Sequence, residues 1–310
     1  MFKKLVKRIA LAATLVCMAG TMVAAAGCNI ETKHPKVRIT VEFNSKKYEL
    51  DYTLYRNMYP NTVRRFIELT ENGFYKDMLI HDYGTNDWVS GAYGYNATDY
   101  NTASELNAYA DYLEEHSKEQ QFLNLFDAGK ITPTVYAKAA YDSKNNLIVD
   151  DSSALPTLIG EFKNNVQQTI ENGALTAEQG TLKMFYYEKE TTGKVNVDTK
   201  NKKKEIIWNA DYKTNCATTL FSMQVGSGSS YGASDYCVFG KMDSTAKLID
   251  LLNAINEYYA GDVSSISVAD VNVENLVERF SDKAADKGTE VDFTLPASPI
   301  VIKTVKVTKY

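Results

Sequence analysis

The chain has 310 residues, 44% of them hydrophobic, and a formal net charge of −5. That is enough apolar material for one large domain or two smaller ones. The acidic balance argues against a nucleic-acid partner, which demands a basic footprint. Tyrosine is abundant, at 21 residues, as expected of amphipathic sheet packing or of a surface built from aromatic anchors.

The first elements are not part of a fold. "MFKKLVKRIA" is basic, "LAATLVCMAGTMVAAA" is apolar and small, and "AAGC" closes the run at Cys28. A basic stretch, an apolar stretch and small residues before a break form a secretory signal. The Cys28 neighbourhood resembles a bacterial lipobox. The resemblance implies removal of residues 1–27 as a lipoprotein signal peptide, a lipid on Cys28, and a tether over 28–35. An uncleaved membrane anchor is the alternative. Either reading puts the mature chain outside the cytoplasm, held at a membrane. No second apolar run is long enough to span a bilayer. Loss of Lys3, Lys4, Lys7 and Arg8 takes the charge from −5 to −9, since no acid leaves with them. Cys17 leaves as well. Cys216 and Cys237 then remain in strand-like segments, where an extracytoplasmic location permits a disulfide and buried thiols are equally common. No Cys/His spacing suits a metal, and neither a metal nor a cofactor is expected.

"KVRITVEFNSKKYELDYTLY" alternates about Asn44-Ser45, with Val37, Ile39, Val41 and Phe43 on one face and Tyr48, Leu50, Tyr52 and Leu54 on the other strand's face. This predicts a β-hairpin. A helix follows, with Pro60 in its first turn, Val63, Phe66, Ile67 and Thr70 on its apolar side and Gly73 just past its end. Arg64 and Arg65 on it are expected at the surface. "MLIHDY" and "DWVSGAYGY" predict strand, loop, strand. Residues 97–156 change character and read as a helical insertion, with Thr102 and Glu105 as a capping box. Its second helix begins near Lys118 and stops by Gly129, and "YDSKNNLIVDDSSALP" is a polar loop. Strands return at "TLKMFYY", "KEIIWNADY", "ATTLFSMQVG" and "DYCVFGKM", with "EKETTGKVNVDTKNKKKE" as an exposed turn. A helix capped by Asp243 or Ser244 presents Leu248, Leu251, Leu252 and Ile255 inward. Residues 261–290 are polar, with a short helix at "VENLVERF", and "PIVIKTVKVTKY" is a closing strand. No tandem repeat is visible.

Hairpin, helix, sheet, helix and closing strand suggest a closed antiparallel β-barrel with a helix over each end. Six separated motifs make the resemblance specific. "YPNTVRRFIELTENGFYKDMLIH", "WVSGAYG", "LIGEFKNN", "GTLKM", "TTLFSM" and "VFGKM" occur in the order of the cyclophilins, and the last strand matches as well. The chain therefore resembles a cyclophilin-type peptidyl-prolyl cis-trans isomerase over roughly 36–95, 157–260 and the final strand. A cyclophilin-like domain over 36–310, mainly β, is expected, with the 97–156 segment inserted in it.

The family's reaction needs neither nucleophile nor metal. The barrier to turning an X–Pro amide is about 20 kcal/mol, and a catalyst must bind the twisted amide better than either planar isomer. A fixed cation beside an apolar proline pocket supplies a donor to the pyramidal nitrogen. Carried across position by position, the resemblance places the arginine at Asp82, the pocket phenylalanine at Asp87, the pocket methionine at Trp88 and the glutamine at Ser90. The rim tryptophan falls on Tyr231, the pocket histidine on Tyr236, the second groove phenylalanine on Phe221, and an alanine on Phe185. Asp82, Ser90 and Tyr236 are thus substituted catalytic positions, and Trp88, Phe185, Phe221 and Tyr231 would line a peptide groove. His81 and Met184 match as structural residues. The implied partners are proline-containing peptides or exported proteins. Three functions stay open: an envelope folding isomerase with weak or lost activity, a non-catalytic peptide- or envelope-protein-binding module, and a structural surface lipoprotein. A hydrolase is disfavoured, because "GSGSS" (226–230) lacks the strand-to-helix context of a nucleophile elbow and reads as a flexible loop.

Overall fold

The structure, a computed structural model, describes residues 33–310 apart from 104–105, 133–134, 137–138, 142, 144–146, 150–153, 156–157, 160, 162–174, 186–192, 198–209, 213–215, 218, 229–235, 263–266 and 275–289. The expected hairpin is β1 (Lys36–Phe43) and β2 (Lys46–Leu54), joined at Asn44 and Ser45. Both turn residues have positive φ, 46° and 62°, the geometry that matches the twist of the flanking strands. All eight inward residues named above are buried.

Seven more strands complete the main sheet: β3 (Met78–Leu79), β4 (Asp82–Tyr83), β5 (Asp87–Ser90), β6 (Thr181–Phe185), β7 (Phe221–Gln224), β8 (Tyr236–Met242) and β9 (Val301–Lys309). Their spatial order is β3-β9-β1-β2-β8-β6-β7-β5-β4, and every pairing is antiparallel. The first and last members, β3 and β4, are separated only by Ile80 and His81. The Ile80 amide donates to Ile300 O on one side and the His81 amide to Val89 O on the other. The two ends of the strand order therefore meet on one stretch of backbone.

Helix α1 (Pro60–Glu71) begins with proline, as its missing N–H allows. It ends in a Schellman arrangement, Phe74 N to Leu69 O and Gly73 N to Thr70 O, with Gly73 at φ +68°. Its N-terminus has no local side-chain cap. Glu161, from the "LIGEFKNN" motif, instead accepts the amides of Asn61 and Thr62 at 3.0 and 2.9 Å. Phe66 is the core's hub, 5.3 Å from Phe221, 5.1 Å from Phe239 and 5.0 Å from Tyr75. Arg65 corrects the surface expectation. It is wholly buried, its guanidinium 5.6 Å from the Phe122 ring centroid.

Phe122 belongs to the segment after the first sheet strands. Helices α2 (Ala97–Thr102), α3 (Leu106–Glu115) and α4 (Glu119–Asp127) occupy it, and Gly129 ends α4 at φ +66°. Glu105 lies outside the described residues, and the Thr102 hydroxyl donates to Asp99 O. The expected polar loop, 141–156, contains the strand Leu147–Val149, paired with Ala139–Tyr141 at the loop's start. The exposed turn contains Gly193–Val197, paired with Ala210–Tyr212 and Val135–Tyr136. Short apolar runs, Leu147-Ile148-Val149 in the first and the alternating Val195 and Val197 in the second, outweigh the polar composition around them. Helix α5 (Ala246–Tyr258) has Thr245 at its N-cap position without a side-chain cap bond; the expected Ser244 accepts the Ala246 amide at 3.3 Å, while Asp243 binds Lys36 and Thr53 instead. Between 261 and 290, strand Ser267–Glu274 pairs with Glu290–Pro296. The first two residues of "VENLVERF" end that strand, and the other six lie outside the described residues. Among the described residues no helix is long and apolar enough to cross a membrane.

The left-handed conformation costs a residue with a side chain about 1 kcal/mol. Ser45→Gly is expected to raise the urea-unfolding free energy by about that amount. An unchanged or lower midpoint would show that Ser45 makes a compensating contact.

Candidate functional site

Alternate residues of a strand face opposite sides of a sheet, and the register sorts the expected site residues into two sets. In β5 against β7, Ser90 pairs with Phe221, Val89 with Ser222, Trp88 with Met223 and Asp87 with Gln224. In β6, Met184 pairs with Phe221 and Lys183 with Ser222. Phe221 rests on Phe66 and Tyr75 in the core, so its side of the sheet is the inner one. Ser90 and Trp88 share it. Ser90 is fully buried, and its hydroxyl donates to Leu79 O at 2.9 Å. Trp88 is buried and stacked on Tyr83, with centroids 5.2 Å apart, and burial raises the Tyr83 phenol to about 12. These three residues are packing, and the structure does not bring them to a surface groove.

The outer set is different. Asp87, Ser222 and Lys183 come together, 1%, 0% and 0% exposed. Lys183 Nζ forms an ion pair with Asp87 Oδ1, and Ser222 Oγ donates to the same oxygen at 3.3 Å. The ammonium also lies 4.8 Å from the centroid of the half-buried Tyr236 ring. Burial lowers the Lys183 pKa, and the hydrogen bond and charge of Asp87 oppose that. Phe185 pairs in register with Tyr236. Two positions where the resemblance implies an apolar pocket, Asp87 and Tyr236, thus flank a buried cation. Lys183 and Ser222 were not singled out from the sequence. The available signal was a lysine inside "TLKMF", where a central strand tolerates a charge only on a wet face or beside an opposite charge.

Asp82 pairs with Val89 across β4 and β5 and so falls on this outer side. It is half-buried, and its Oδ1 accepts the Thr294 amide at 3.2 Å. Next to it, His81 is fully buried, its ring 4.9 Å from those of Tyr93 and Phe293 in edge-to-face contact. Burial lowers its pKa to about 3, and neither ring nitrogen has a hydrogen-bond partner among the described residues. The 84–86 turn is clamped from below. Val225 N and Gly226 N donate to Asn86 O, and Gly228 N to Asn86 Oδ1. A Cβ on Gly226 would stand 2.4 Å from Asn86 Oδ1. The "GSG" part of "GSGSS" is therefore a close-packed brace. Tyr231 and Cys28 lie outside the described residues. Among the described residues no three His, Cys, Asp or Glu side chains are placed to hold a metal ion.

The family described as cyclophilin type peptidyl-prolyl cis-trans isomerase/CLD matches residues 38–277. No curated protein matches the chain. Similar solved structures include the Mimivirus cyclophilin, 13% identical, covering 90% of this chain and 91% of that chain with a TM-score of 0.41. A Cryptosporidium parvum cyclophilin type peptidyl-prolyl cis-trans isomerase is 13% identical over 89% of this chain and 99% of that one, TM-score 0.38. The same parasite protein in the presence of the dipeptide Ala-Pro gives 12% identity, the same coverage and a TM-score of 0.37.

Two outcomes are expected. Lys183→Met and Asp87→Leu should each destabilise by about 3–5 kcal/mol, because each leaves a buried charge alone, while the double variant should lie within about 1–2 kcal/mol of wild type. Additive losses in urea unfolding would refute the coupling. His81 charges in the unfolded chain below its ordinary 6.5 but in the folded chain only near 3. Its stabilising effect is full above 6.5 and fades as the pH falls toward 3, by at most about 1.4 kcal/mol per unit. His81→Phe should flatten that acid limb, and an identical pH profile would contradict the assignment.

Proposed function

The chain belongs to the cyclophilin-type peptidyl-prolyl cis-trans isomerase family, and on that premise we propose that it is an extracytoplasmic, lipid-anchored member whose isomerase activity is weak or lost. The carrying observation is the buried Lys183–Asp87–Ser222 cluster on the sheet face that carries Asp87 and Tyr236, two of the implied pocket positions. Transition-state binding of a twisted amide needs an apolar cradle for the ring and a preorganised donor for its nitrogen. Here one cradle position, Asp87, is half of a buried ion pair. Lys183 is held under the surface by Asp87 and cannot reach a substrate without breaking a buried salt bridge. At the arginine position Asp82 is itself an acceptor, already engaged by the Thr294 amide. A glutamine at position 90 would point into the core and could not supply the missing donor.

The anchor rests on the sequence: the basic and apolar N-terminus ending at Cys28. A peptide- or envelope-protein-binding module without turnover is the second reading. The same cluster favours it, since a satisfied polar network stiffens a sheet without acting on an amide. Exported proteins are the partners this location offers.

Exchange NMR on a short Ala-Pro peptide tests the reading. The full-length chain should leave the cis/trans exchange rate at the value of the peptide alone. Asp82→Arg should leave it there too, because the ion pair still fills the outer face. Turnover at the level of an active family member, by either protein, would contradict the reading.

A further inference from the structure

We propose that the strand Glu290–Pro296 is an internal strap lying in front of Asp82, occupying the place of an extended peptide; this rests on the reading of that face as the family's groove. The strap packs against β4, yet it is no member of the nine-stranded sheet. Its ladder hydrogen bonds go to Ser267–Glu274, which packs against α3. Its hold beside β4 includes a backbone amide and a buried ring. The Thr294 N–H donates to Asp82 Oδ1, a bond to a charged acceptor. The Phe293 ring, 4% exposed, sits against His81 and Tyr93. At its far end the Tyr100 hydroxyl donates to Pro296 O, and the Ser298 amide donates to Tyr259 Oη at 2.8 Å.

An extended backbone offering an N–H to a fixed acceptor, with one side chain in an apolar slot, is the way a peptide docks on an extended surface. The strap meets both requirements from within the chain, and it could withdraw without breaking a ladder of the main sheet. A peptide seeking Asp82 competes with a tethered segment, whose effective concentration is high. The strap is thus an autoinhibitory contact whose release would expose β4.

The test uses the full-length chain, Thr294→Pro, which removes the strap's donor and keeps the Asp82 acceptor, and Asp82→Ala, which removes the acceptor itself. Amide hydrogen exchange and line broadening of an Ala-Pro peptide are read on each. Thr294→Pro should speed exchange in 290–296 by about tenfold, the worth of one hydrogen bond to a charged group. β1 should stay protected, and this variant should broaden a peptide that wild type leaves sharp. Asp82→Ala should speed the same exchange but leave the peptide sharp, because the peptide's own acceptor is gone. Equal broadening by wild type, or faster exchange with a sharp peptide in Thr294→Pro, would overturn the strap. If Thr294→Pro loses β1 protection as well, Phe293→Leu is judged by the same two readouts. Isomerisation rates from the same spectra bear on the inactive-site reading alone, so failure of one idea is visible apart from failure of the other.

Discussion

Lys183 on β6 and Asp87 on β5 are opposite charges held out of water across the intervening β7, and the character of the whole outer face follows from them. Neither could be buried alone, because the desolvation of an isolated ion exceeds what packing returns. Together, with Ser222 on the shared carboxylate oxygen and Tyr236 beside the ammonium, they form a polar cluster where a proline ring would need an apolar hollow. The register of β5, β6, β7 and β8 fixes that meeting. A slip of one residue would send Lys183 into the core and Phe221 out of it.

The inner face explains why the fold persists although the chemistry is altered. Phe66 of α1 meets Phe221 and Phe239 from two strands, and α1 is held at its N-terminus by Glu161 from about a hundred residues away. The helical segment then covers the far side of α1 through Phe122 over Arg65 and through Thr132, whose amide and hydroxyl both donate to the Glu68 carboxylate. None of these contacts involves the outer face of β5 to β8, so that face can change without dissolving the core.

Much of the fold was legible because local signals agreed. The hairpin about Asn44-Ser45, α1 between Pro60 and Gly73, α4 ending at Gly129 and the closing strand each follow from periodicity plus a cap or turn residue. The strand Glu290–Pro296 was missed. Its alternation of Val291, Phe293 and Leu295 lies at the end of a polar stretch, and its partner comes from 267–274. The site was legible only in part. Motif matching found positions 82, 87 and 236, but spacing within a motif does not report which side of a sheet a residue takes. It therefore grouped Ser90, Trp88 and Phe221 with residues on the opposite side. Lys183 escaped notice because its meaning depends on Asp87, nearly a hundred positions earlier.

Lysine reactivity reports directly whether this face is closed over a buried ion pair. Reductive methylation of the native full-length chain, read by mass spectrometry, should leave Lys183 unmodified while exposed Lys46 and Lys47 are fully modified. Asp87→Ala should make Lys183 reactive. Labelling of Lys183 in the wild-type chain at the rate of Lys46 would mean an open pocket with a reachable cation, and would contradict closure of this face.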